Sequence, residues 1–260
     1  MTTEAQPAAE VRVEADGGVL VITIDRPGAR NAVNENVARA VAGAADRLDS
    51  DPALQVGVIT GAGGTFCAGM DLKAFVRGEH PVVEGRGFAG LVQRPPRKPL
   101  IAAVEGYALA GGFEIVLACD LVVAAQGATF GIPEVKRSLV AAGGGLLRLP
   151  RRVPYHVAME LALLGNHVSA ARMSELGLVN RLVDDGEALG AALGLAREVA
   201  ANGPLALAAS KRIIVESAGW GEEESWIEQD RIARPVAGSA DAREGATAFA
   251  EKRPPVWQGR

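Results

Sequence analysis

Residues 100–118 read Leu-Ile-Ala-Ala-Val-Glu-Gly-Tyr-Ala-Leu-Ala-Gly-Gly-Phe-Glu-Ile-Val-Leu-Ala. The first five residues of this segment are an apolar run that is typical of a buried strand. Gly111-Gly112 then opens an apolar helix that is predicted to extend through Ala118. Buried strands followed by helices at this interval imply parallel pairing with crossover helices, and therefore an α/β fold.

The same alternation of strands and helices continues on both sides of this segment. Upstream, two apolar stretches flank Asp16-Gly17-Gly18, which predicts a β-hairpin. Apolar residues recur at helical spacing over residues 34–50, so a helix is predicted there. Further strands are predicted at residues 56–60, 121–125 and 129–131.

The chain beyond about Pro150 is predicted to be almost entirely helical. Helical spacing recurs there between short breaks of Gly, Asn and Pro. The candidate helices are residues 154–164, 169–176, 187–202, 204–216, 222–234 and 241–252. Residues 71–90, by contrast, are charged and contain glycine, and we expect a mobile helix and loop there.

The composition is that of a chain with a large core. Of the 260 residues, 48% are hydrophobic and 22% are charged, which excludes a disordered chain. The formal net charge of −4 argues against a general nucleic-acid-binding protein, which normally carries a basic face. The three histidines show no zinc-ligand spacing with cysteine or acid, so no metal site is expected.

Several features of the chain predict a soluble, cytoplasmic protein. Residues 1–10 lack the basic pattern of a targeting segment, and we expect a short flexible tail there. No apolar run approaches the ~20 residues that a membrane span requires. Cys67 and Cys119 lie among apolar residues, which favours buried thiols in a reducing compartment over a disulfide.

Two glutamates stand out because each lies within an apolar stretch. Glu114 ends the segment Gly-Gly-Phe-Glu, and Glu134 ends the segment Gly-Ile-Pro-Glu. Burial raises the pKa of a carboxyl group toward the range that is useful for proton transfer. Either glutamate alone is more readily explained as a complement to a helix dipole. The two together indicate a general acid and a general base.

Small residues precede two of the predicted helices. Ala68-Gly69 lies ahead of a helix that is expected near Asp71, and Gly111-Gly112 opens the helix that contains Glu114. The N–H groups at a helix N-terminus favour negative charge, and two of them converging on one carbonyl oxygen form an oxyanion hole. Close packing of the backbone is the alternative interpretation of these glycines.

A series of motifs runs along the chain in a characteristic order and spacing. They are Asn31-Ala32 after Asp25-Arg26-Pro27, residues 61–73 (Gly-Ala-Gly-Gly-Thr-Phe-Cys-Ala-Gly-Met-Asp-Leu-Lys), residues 98–114, Cys119-Asp120, residues 130–134, Gly144-Gly145 with Arg148-Leu149, residues 177–180 and residues 249–253. Together these motifs resemble the enoyl-CoA hydratase/isomerase (crotonase) superfamily over essentially the whole chain.

The resemblance implies an α/β fold, a crotonase-like spiral of ββα units over residues 11–200. A helical region over residues 201–260 is then expected to mediate trimerisation, and the trimers often pair into hexamers. The implied substrate is an acyl-CoA, so coenzyme A belongs to the substrate and no separate cofactor is expected. Neither a nucleic acid nor a membrane is an expected partner.

The resemblance also assigns roles to individual residues. The backbone N–H groups of Ala68 and Gly111 are expected to bind the thioester carbonyl. Glu114 is expected to activate the water that attacks C3, and Glu134 to deliver the proton to C2. The residues expected along coenzyme A or the pocket are Arg26, Arg30, Ala68, Gly69, Met70, Asp71, Leu72, Lys73 and Gly111, with Phe249, Lys252 and Arg253 of a neighbouring subunit. A solvated surface is the alternative interpretation of the basic residues.

The implied reaction is that of an enoyl-CoA hydratase, a carbon–oxygen lyase that converts a trans-2-enoyl-CoA into a 3-hydroxyacyl-CoA. Isomerases and decarboxylases of the superfamily commonly change one or both acids, so the presence of both glutamates favours hydration. The C-terminal residues 249–260 also resemble those of crotonobetainyl-CoA hydratases. A non-catalytic acyl-CoA-binding or RNA-binding relative is disfavoured by the intact acids and by the acidic composition.

One loop departs from the pattern of the family. Residues 139–146 read Leu-Val-Ala-Ala-Gly-Gly-Gly-Leu, where family hydratases often carry proline and threonine. We expect this apolar loop to line the acyl pocket. A bulky or hydrophobic acyl group is the hypothesis that follows.

Overall fold

A computed structural model describes residues 9–260 of the chain. Most of the predicted tail, residues 1–8, therefore lies outside the described residues. The strands are β1 Val11–Asp16, β2 Val19–Ile24, β3 Val56–Gly61, β4 Val82–Val83, β5 Gly87–Phe88, β6 Leu100–Val104, β7 Tyr107–Leu109, β8 Leu121–Ala125, β9 Thr129–Gly131, β10 Val168–Ser169 and β11 Arg181–Val183.

The helices alternate with the strands in the first half of the chain and dominate the second half. They are α1 Glu35–Ser50, α2 Leu72–Val76, α3 Gly111–Ala118, α4 Gly145–Arg148, α5 Tyr155–Leu164, α6 Ala170–Glu175, α7 Ala188–Ala200, α8 Pro204–Glu216, α9 Glu222–Ala237 and α10 Ala240–Glu251. Four short 3-10 helices complete the set at Pro27–Ala29, Pro133–Arg137, Leu149–Arg151 and Ser217–Gly219.

The main sheet has six strands in the order β1-β2-β3-β6-β8-β11. β1 pairs with β2 in antiparallel orientation, and the other pairs are parallel. Alternate residues of β6 face opposite sides of this sheet: Leu100 belongs to the larger core with α1 and α3, while Ile101 packs toward α7. Because both faces are covered, the central strands are continuous apolar runs, and the predicted α/β fold is confirmed.

The β1–β2 hairpin turns at Gly17-Gly18, as the sequence predicted. Both glycines have positive φ, 53° and 86°, and the two strands pair directly across the turn from Asp16 to Val19. A two-residue turn with positive φ at both positions matches the right-handed twist of the strands. Glycine adopts this conformation without steric cost.

A second sheet connects the core to the two glutamates. Its order is β10-β9-β7, and β7 runs parallel to β9 with Leu109 opposite Gly131. The Ala110 N–H donates to the Gly131 carbonyl at 2.9 Å and extends this pairing by one residue. The segments that follow β7 and β9 therefore leave the sheet at the same edge, and these segments carry Glu114 and Glu134.

The structure differs from the sequence-based expectation in two regions. The part beyond Pro150 is not wholly helical, because β10 pairs with β9 and β11 pairs with β8. Residues 71–90 contain the short helix α2 and a small hairpin of β4 and β5. Buried Arg86 anchors this hairpin through contacts with Asp46 and the Arg94 carbonyl. Strands of two or three residues leave no periodic pattern in a sequence, which explains why these strands were missed.

The division of the chain at residues 200 and 201 stays a prediction. α7 packs across β3, β6 and β8 of the main sheet and ends at Ala200. α8 begins at Pro204 and packs mainly against α9. Lys211 of α8 nevertheless reaches back to the sheet, where its Nζ lies 2.6 Å from a carboxylate oxygen of Asp120.

Both cysteines are buried and unpaired. Burial raises the pKa of the Cys67 thiol to about 12, so this side chain is a neutral thiol at physiological pH. Within residues 9–260, no helix is long and apolar enough to cross a membrane. The same residues contain no group of three or more His, Cys, Asp or Glu side chains arranged to hold a metal ion.

Asn31 ties the loop after β2 to the loop after β3. Its side chain is completely buried, and its φ of 55° is left-handed. The amide Nδ2 donates to the carbonyls of Ala62 and Thr65, at 2.8 and 2.6 Å. The Oδ1 accepts from the Arg26 N–H at 2.8 Å. Asparagine tolerates the left-handed region, so one residue satisfies both the backbone conformation and three hydrogen-bonding groups.

We expect Asn31→Ala to lower the free energy of unfolding by about 2–4 kcal/mol, because buried backbone groups lose their partners and alanine disfavours positive φ. Urea unfolding followed by circular dichroism, at fixed protein concentration, measures the change. Asn36→Ala is the matched control, since Asn36 is exposed on α1. Equal midpoints for wild type and Asn31→Ala would contradict this role.

Candidate active site

Glu114 lies in the first turn of α3 and is only 4% exposed. Its Oε1 accepts a hydrogen bond from the Gly145 N–H at 2.9 Å, and the Gly143 N–H also faces the carboxylate. Burial raises the pKa of Glu114 above its ordinary value. The two N–H groups and the charge of Arg148 oppose this rise, because each stabilises the ionised carboxylate.

The loop at residues 143–145 closes tightly around Glu114. A Cβ atom at Gly143 would overlap the Glu114 Oε2, and one at Gly145 would lie 3.1 Å from Glu114 Cγ. Glycine is therefore required at 143 by the approach of the backbone to the carboxylate. The sequence motif Gly-Gly-Gly reflects this contact, although periodicity gives no indication of it.

Glu134 lies in the 3-10 helix Pro133–Arg137, one residue after a proline at the first helical position. Its Oε2 is buried and has no hydrogen-bond partner among residues 9–260. Burial and, to a smaller extent, the negative charge of Glu114 raise the pKa of Glu134 to about 7, while the charge of Arg137 opposes the rise. A buried polar atom without a partner is unusual in a protein, and this oxygen is available to a group outside the chain.

The two carboxyl groups therefore have unequal environments. Both glutamates are desolvated and each has a cation nearby, but Glu114 faces the two N–H groups of Gly143 and Gly145, whereas Glu134 faces only its own N–H and has one oxygen without a partner among residues 9–260. When the pair holds one proton, this difference favours an ionised Glu114 and a protonated Glu134. Two carboxyl groups whose environments separate their pKa values are suited to act as base and acid.

The N–H of Gly111 is one available donor beside Glu114. Gly111 is the first residue of α3, so its N–H has no acceptor within the helix. The preceding residue, Ala110, has φ 52° and ψ −128°, which is a strained conformation for a residue with a side chain. This strained turn sets the direction of the Gly111 N–H. Nothing in the sequence marks Ala110 as unusual.

The prediction that Ala68 supplies the second N–H is wrong. The Ala68 N–H donates to the Arg30 carbonyl at 3.0 Å and is not available to a ligand. The N–H of Met70, two residues later, has no acceptor among residues 9–260. The Val33 N–H donates to the Gly69 carbonyl at 2.8 Å, and the Val33 carbonyl accepts from the Asp71 N–H at 2.9 Å. The N–H of Met70, which lies between Gly69 and Asp71, therefore points away from Val33.

Met70 thus replaces Ala68 as the second candidate donor. A Cβ atom at Gly69 would lie 3.2 Å from the Gly111 nitrogen, so the backbone before Met70 runs against the start of α3. The ring of Phe88, from the β4–β5 hairpin, occupies the space where a side chain at Gly111 would lie. Phe88 was not singled out from the sequence, because only the folded hairpin brings it to this position.

The prediction that Arg26 contacts a phosphate of coenzyme A stays a prediction. Its guanidinium is held by Glu10 and Asp71, at 2.8 and 2.9 Å, and by the Ala32 carbonyl. Asp71 in turn caps α2 by accepting from the N–H groups of Lys73 and Ala74. Arg26 and Asp71 therefore form a structural ion pair that fixes the loop carrying Met70.

The other predicted coenzyme A contacts remain predictions. Arg30, Leu72 and Lys73 are exposed. Phe249 is 87% exposed and Lys252 is exposed at the end of α10, as the prediction of a neighbouring-subunit contact requires. Arg253 is held in ion pairs by Glu244 and Glu251, so it is not a free cation.

The glycines of the apolar loop at residues 139–146 pack around Glu114, whereas the larger side chains of this loop are exposed. Leu139 is 48% exposed, Val140 71% and Leu146 40%, while Ala141 is buried. The predicted lining of an acyl pocket by this loop stays a prediction. The exposed apolar side chains next to the two carboxyl groups are compatible with it.

Comparison with known proteins identifies the family to which this chain is similar. The profile of the family described as Enoyl-CoA hydratase/isomerase matches residues 14–260. The chain is 46% identical to enoyl-CoA hydratase EchA19 of Mycobacterium tuberculosis, over 100% of this chain and 99% of the relative. It is 42% identical to a carnitinyl-CoA dehydratase of Salmonella enteritidis, over 94% of this chain and 97% of the relative.

A solved structure of similar sequence has the same fold. The enoyl-CoA hydratase EchA1 of Mycobacterium marinum superposes with a TM-score of 0.95 at 62% identity, covering 97% of this chain and 100% of that chain. This similarity bears out the expected crotonase-like architecture, whereas trimerisation is not tested by it. The family profile and the relatives agree over nearly the whole chain, and the protein therefore belongs to the enoyl-CoA hydratase/isomerase family.

Proposed function

We propose that the protein is an enoyl-CoA hydratase, which adds water across the 2,3 double bond of a trans-2-enoyl-CoA. The observation that carries the proposal is the unequal pair of glutamates, one buried and one partly buried, beside available backbone N–H groups. Glu114 accepts the Gly145 N–H, whereas Glu134 has an oxygen without a partner among residues 9–260 and a pKa raised to about 7. Hydration needs one base and one acid, which this pair supplies.

The proposed reaction assigns one task to each group. The N–H groups of Met70 and Gly111 bind the thioester oxygen. Glu114 removes a proton from water, whose oxygen forms a bond to C3 while the electrons of the double bond move onto the thioester oxygen. Glu134 then gives its proton to C2, and the carbonyl re-forms to leave a 3-hydroxyacyl-CoA. Each N–H donor to the developing oxyanion is worth about 2.7–4 kcal/mol in transition-state stabilisation.

A second candidate is the interconversion of a carnitinyl-CoA and its unsaturated partner, which uses the same acid–base chemistry. The similarity to carnitinyl-CoA dehydratases at 42% identity supports it. The exposed side chains of Leu139, Val140 and Leu146 instead support an acyl group that is hydrocarbon near the rim. Parallel assays with crotonyl-CoA, a longer trans-2-enoyl-CoA and crotonobetainyl-CoA distinguish the two candidates.

The assembly and the compartment are part of the proposal. Large apolar side chains of α8 and α9 are exposed, among them Ile214, Val215, Trp226 and Ile227. Such a patch supports the proposed homotrimer, alone or paired into a hexamer, because monomers rarely expose contiguous apolar surface. The two unpaired, buried cysteines support a reducing compartment, and we propose the cytoplasm.

Glu114→Gln and Glu134→Gln are each expected to lower kcat for hydration by about 10²–10⁴-fold, because each removes one proton-transfer group. The loss of conjugated-thioester absorbance, together with identification of the product, measures the rate. Glu223→Gln serves as the control, since Glu223 is exposed on α9. Wild-type rates in both active-site variants would rule out the assigned acid and base.

The pH dependence of kcat/KM follows from the two carboxyl groups. Glu134 must be protonated to act as the acid, and its pKa is raised to about 7, so kcat/KM is expected to fall as the pH rises above about 7. Ionisation of Glu114 sets the acidic limb. Glu134→Gln is expected to abolish the alkaline limb, and an alkaline limb that persists in this variant would contradict the assignment.

Gly143→Ala is expected to lower kcat for hydration by at least about tenfold, because the added methyl group displaces the Glu114 carboxylate from the Gly145 N–H. Gly194→Ala is the matched control: it adds the same methyl group on α7, where nothing lies within 4 Å. If the two variants retain equal activity, the loop does not position Glu114.

A further inference from the structure

Arg148 lies next to the loop that holds Glu114. It is the last residue of α4, which begins at Gly145, and it is partly buried. Its Nη2 donates to the carbonyl of Val92, a residue that is 1% exposed, at 2.6 Å. The Nη1 occupies the space where a Cβ at Gly144 would lie. Gly144 has a φ of 96° and no side chain, so the guanidinium of Arg148 fits into the loop.

The charge of Arg148 is not neutralised by a direct ion pair. Within residues 9–260, no carboxylate oxygen lies within 4.0 Å of its guanidinium. Burial lowers the pKa of Arg148 below its ordinary value, and the nearby Arg152 lowers it further. Among the groups that raise this pKa, Glu114 has the largest effect. An arginine remains charged in such a site, so its positive charge acts on Glu114 across the loop.

The remaining charged or titratable groups around the pair are few. α3 contributes Glu114 itself, and Cys119 directly follows this helix; the buried Cys119 thiol is neutral because its pKa is raised. The 3-10 helix Pro133–Arg137 contributes Glu134 and Arg137, and Arg137 acts on Glu134. Arg152 follows the 3-10 helix Leu149–Arg151 and donates to the Cys119 carbonyl at 3.2 Å. Of these cations, only Arg148 contributes to the pKa shift of Glu114.

We propose that Arg148 is a positioning residue that keeps Glu114 ionised and shapes the loop that hydrogen-bonds it. Its anchor on the Val92 carbonyl fixes the guanidinium, and the guanidinium fixes Gly144 between the two glycines that face the carboxylate. The proton shared by the two glutamates is thereby directed to Glu134. This inference rests on the proposed hydratase function, because it assigns which glutamate is the base.

The pH profile of kcat/KM for hydration of crotonyl-CoA tests the proposal in the full-length protein. Arg148→Gln removes the positive charge, so the acidic limb set by Glu114 is expected to move to higher pH by about one unit. At pH values on the acidic side of this limb, kcat/KM of the variant is then expected to be about tenfold lower than that of wild type. Arg148→Lys keeps a positive charge, and its acidic limb is expected to stay near that of wild type.

Arg152→Gln is the matched control. It removes a cation four residues away that also donates to a main-chain carbonyl, but this cation does not act on Glu114. Its acidic limb is expected to coincide with that of wild type. The proposal is overturned if the acidic limb of Arg148→Gln does not move, or if Arg152→Gln moves it by the same amount.

A measurement that does not depend on turnover separates this proposal from the proposed function. Carbon-13 NMR of protein labelled at the glutamate carboxyl groups follows the titration directly, with the two resonances assigned from Glu114→Gln and Glu134→Gln. In wild type, Glu114 is expected to titrate at lower pH than Glu134, and the reverse order overturns the proposal even if Arg148→Gln fails to fold. If no enoyl-CoA is hydrated but this order holds and Arg148→Gln raises the pH at which Glu114 titrates, the proposed function fails while the role of Arg148 stands.

Discussion

The parallel pairing of β7 with β9 is the contact on which the site depends. Leu109 lies opposite Gly131, and the Ala110 N–H continues the pairing to the Gly131 carbonyl. Two segments that are far apart in sequence thereby leave one sheet edge together, one entering α3 and the other entering a 3-10 helix. Each carries its glutamate within the first turn, where the polarity of the helix N-terminus also favours a carboxylate.

Placing one buried and one partly buried carboxyl group beside apolar residues is costly, and the surrounding backbone offsets this cost unequally. Glu114 receives the Gly145 N–H and lies near the charge of Arg148, whereas the Glu134 Oε2 has no partner in the described chain. Buried groups that differ in this way do not share a proton equally. The acid–base function that we propose therefore arises from the loop at residues 143–145 as much as from the glutamates themselves.

Patterns within the sequence predicted the elements that depend on neighbouring residues. The Gly17-Gly18 turn, the helix after Asn34 and the apolar central strands were all predicted, because turn chemistry, capping and periodicity are local properties. The short strands β10 and β11 were not, because only their partners in the sheet define them. The same limit applies to the donors of the site: the N–H of Ala68 was misassigned because its acceptor, the carbonyl of Arg30, belongs to a distant segment.

The order of apolar, glycine and acidic residues along the chain was thus enough to predict an α/β fold and the family, and to single out Glu114 and Glu134 as candidates. Which N–H groups are free, and which glutamate retains its charge, depended on the folded chain. Arg26 was predicted from the sequence to lie along coenzyme A, and its ion pair with Asp71 became visible only in the fold. Hydrogen bonds and charges act through space, so their partners are set by packing between segments that a linear pattern does not connect.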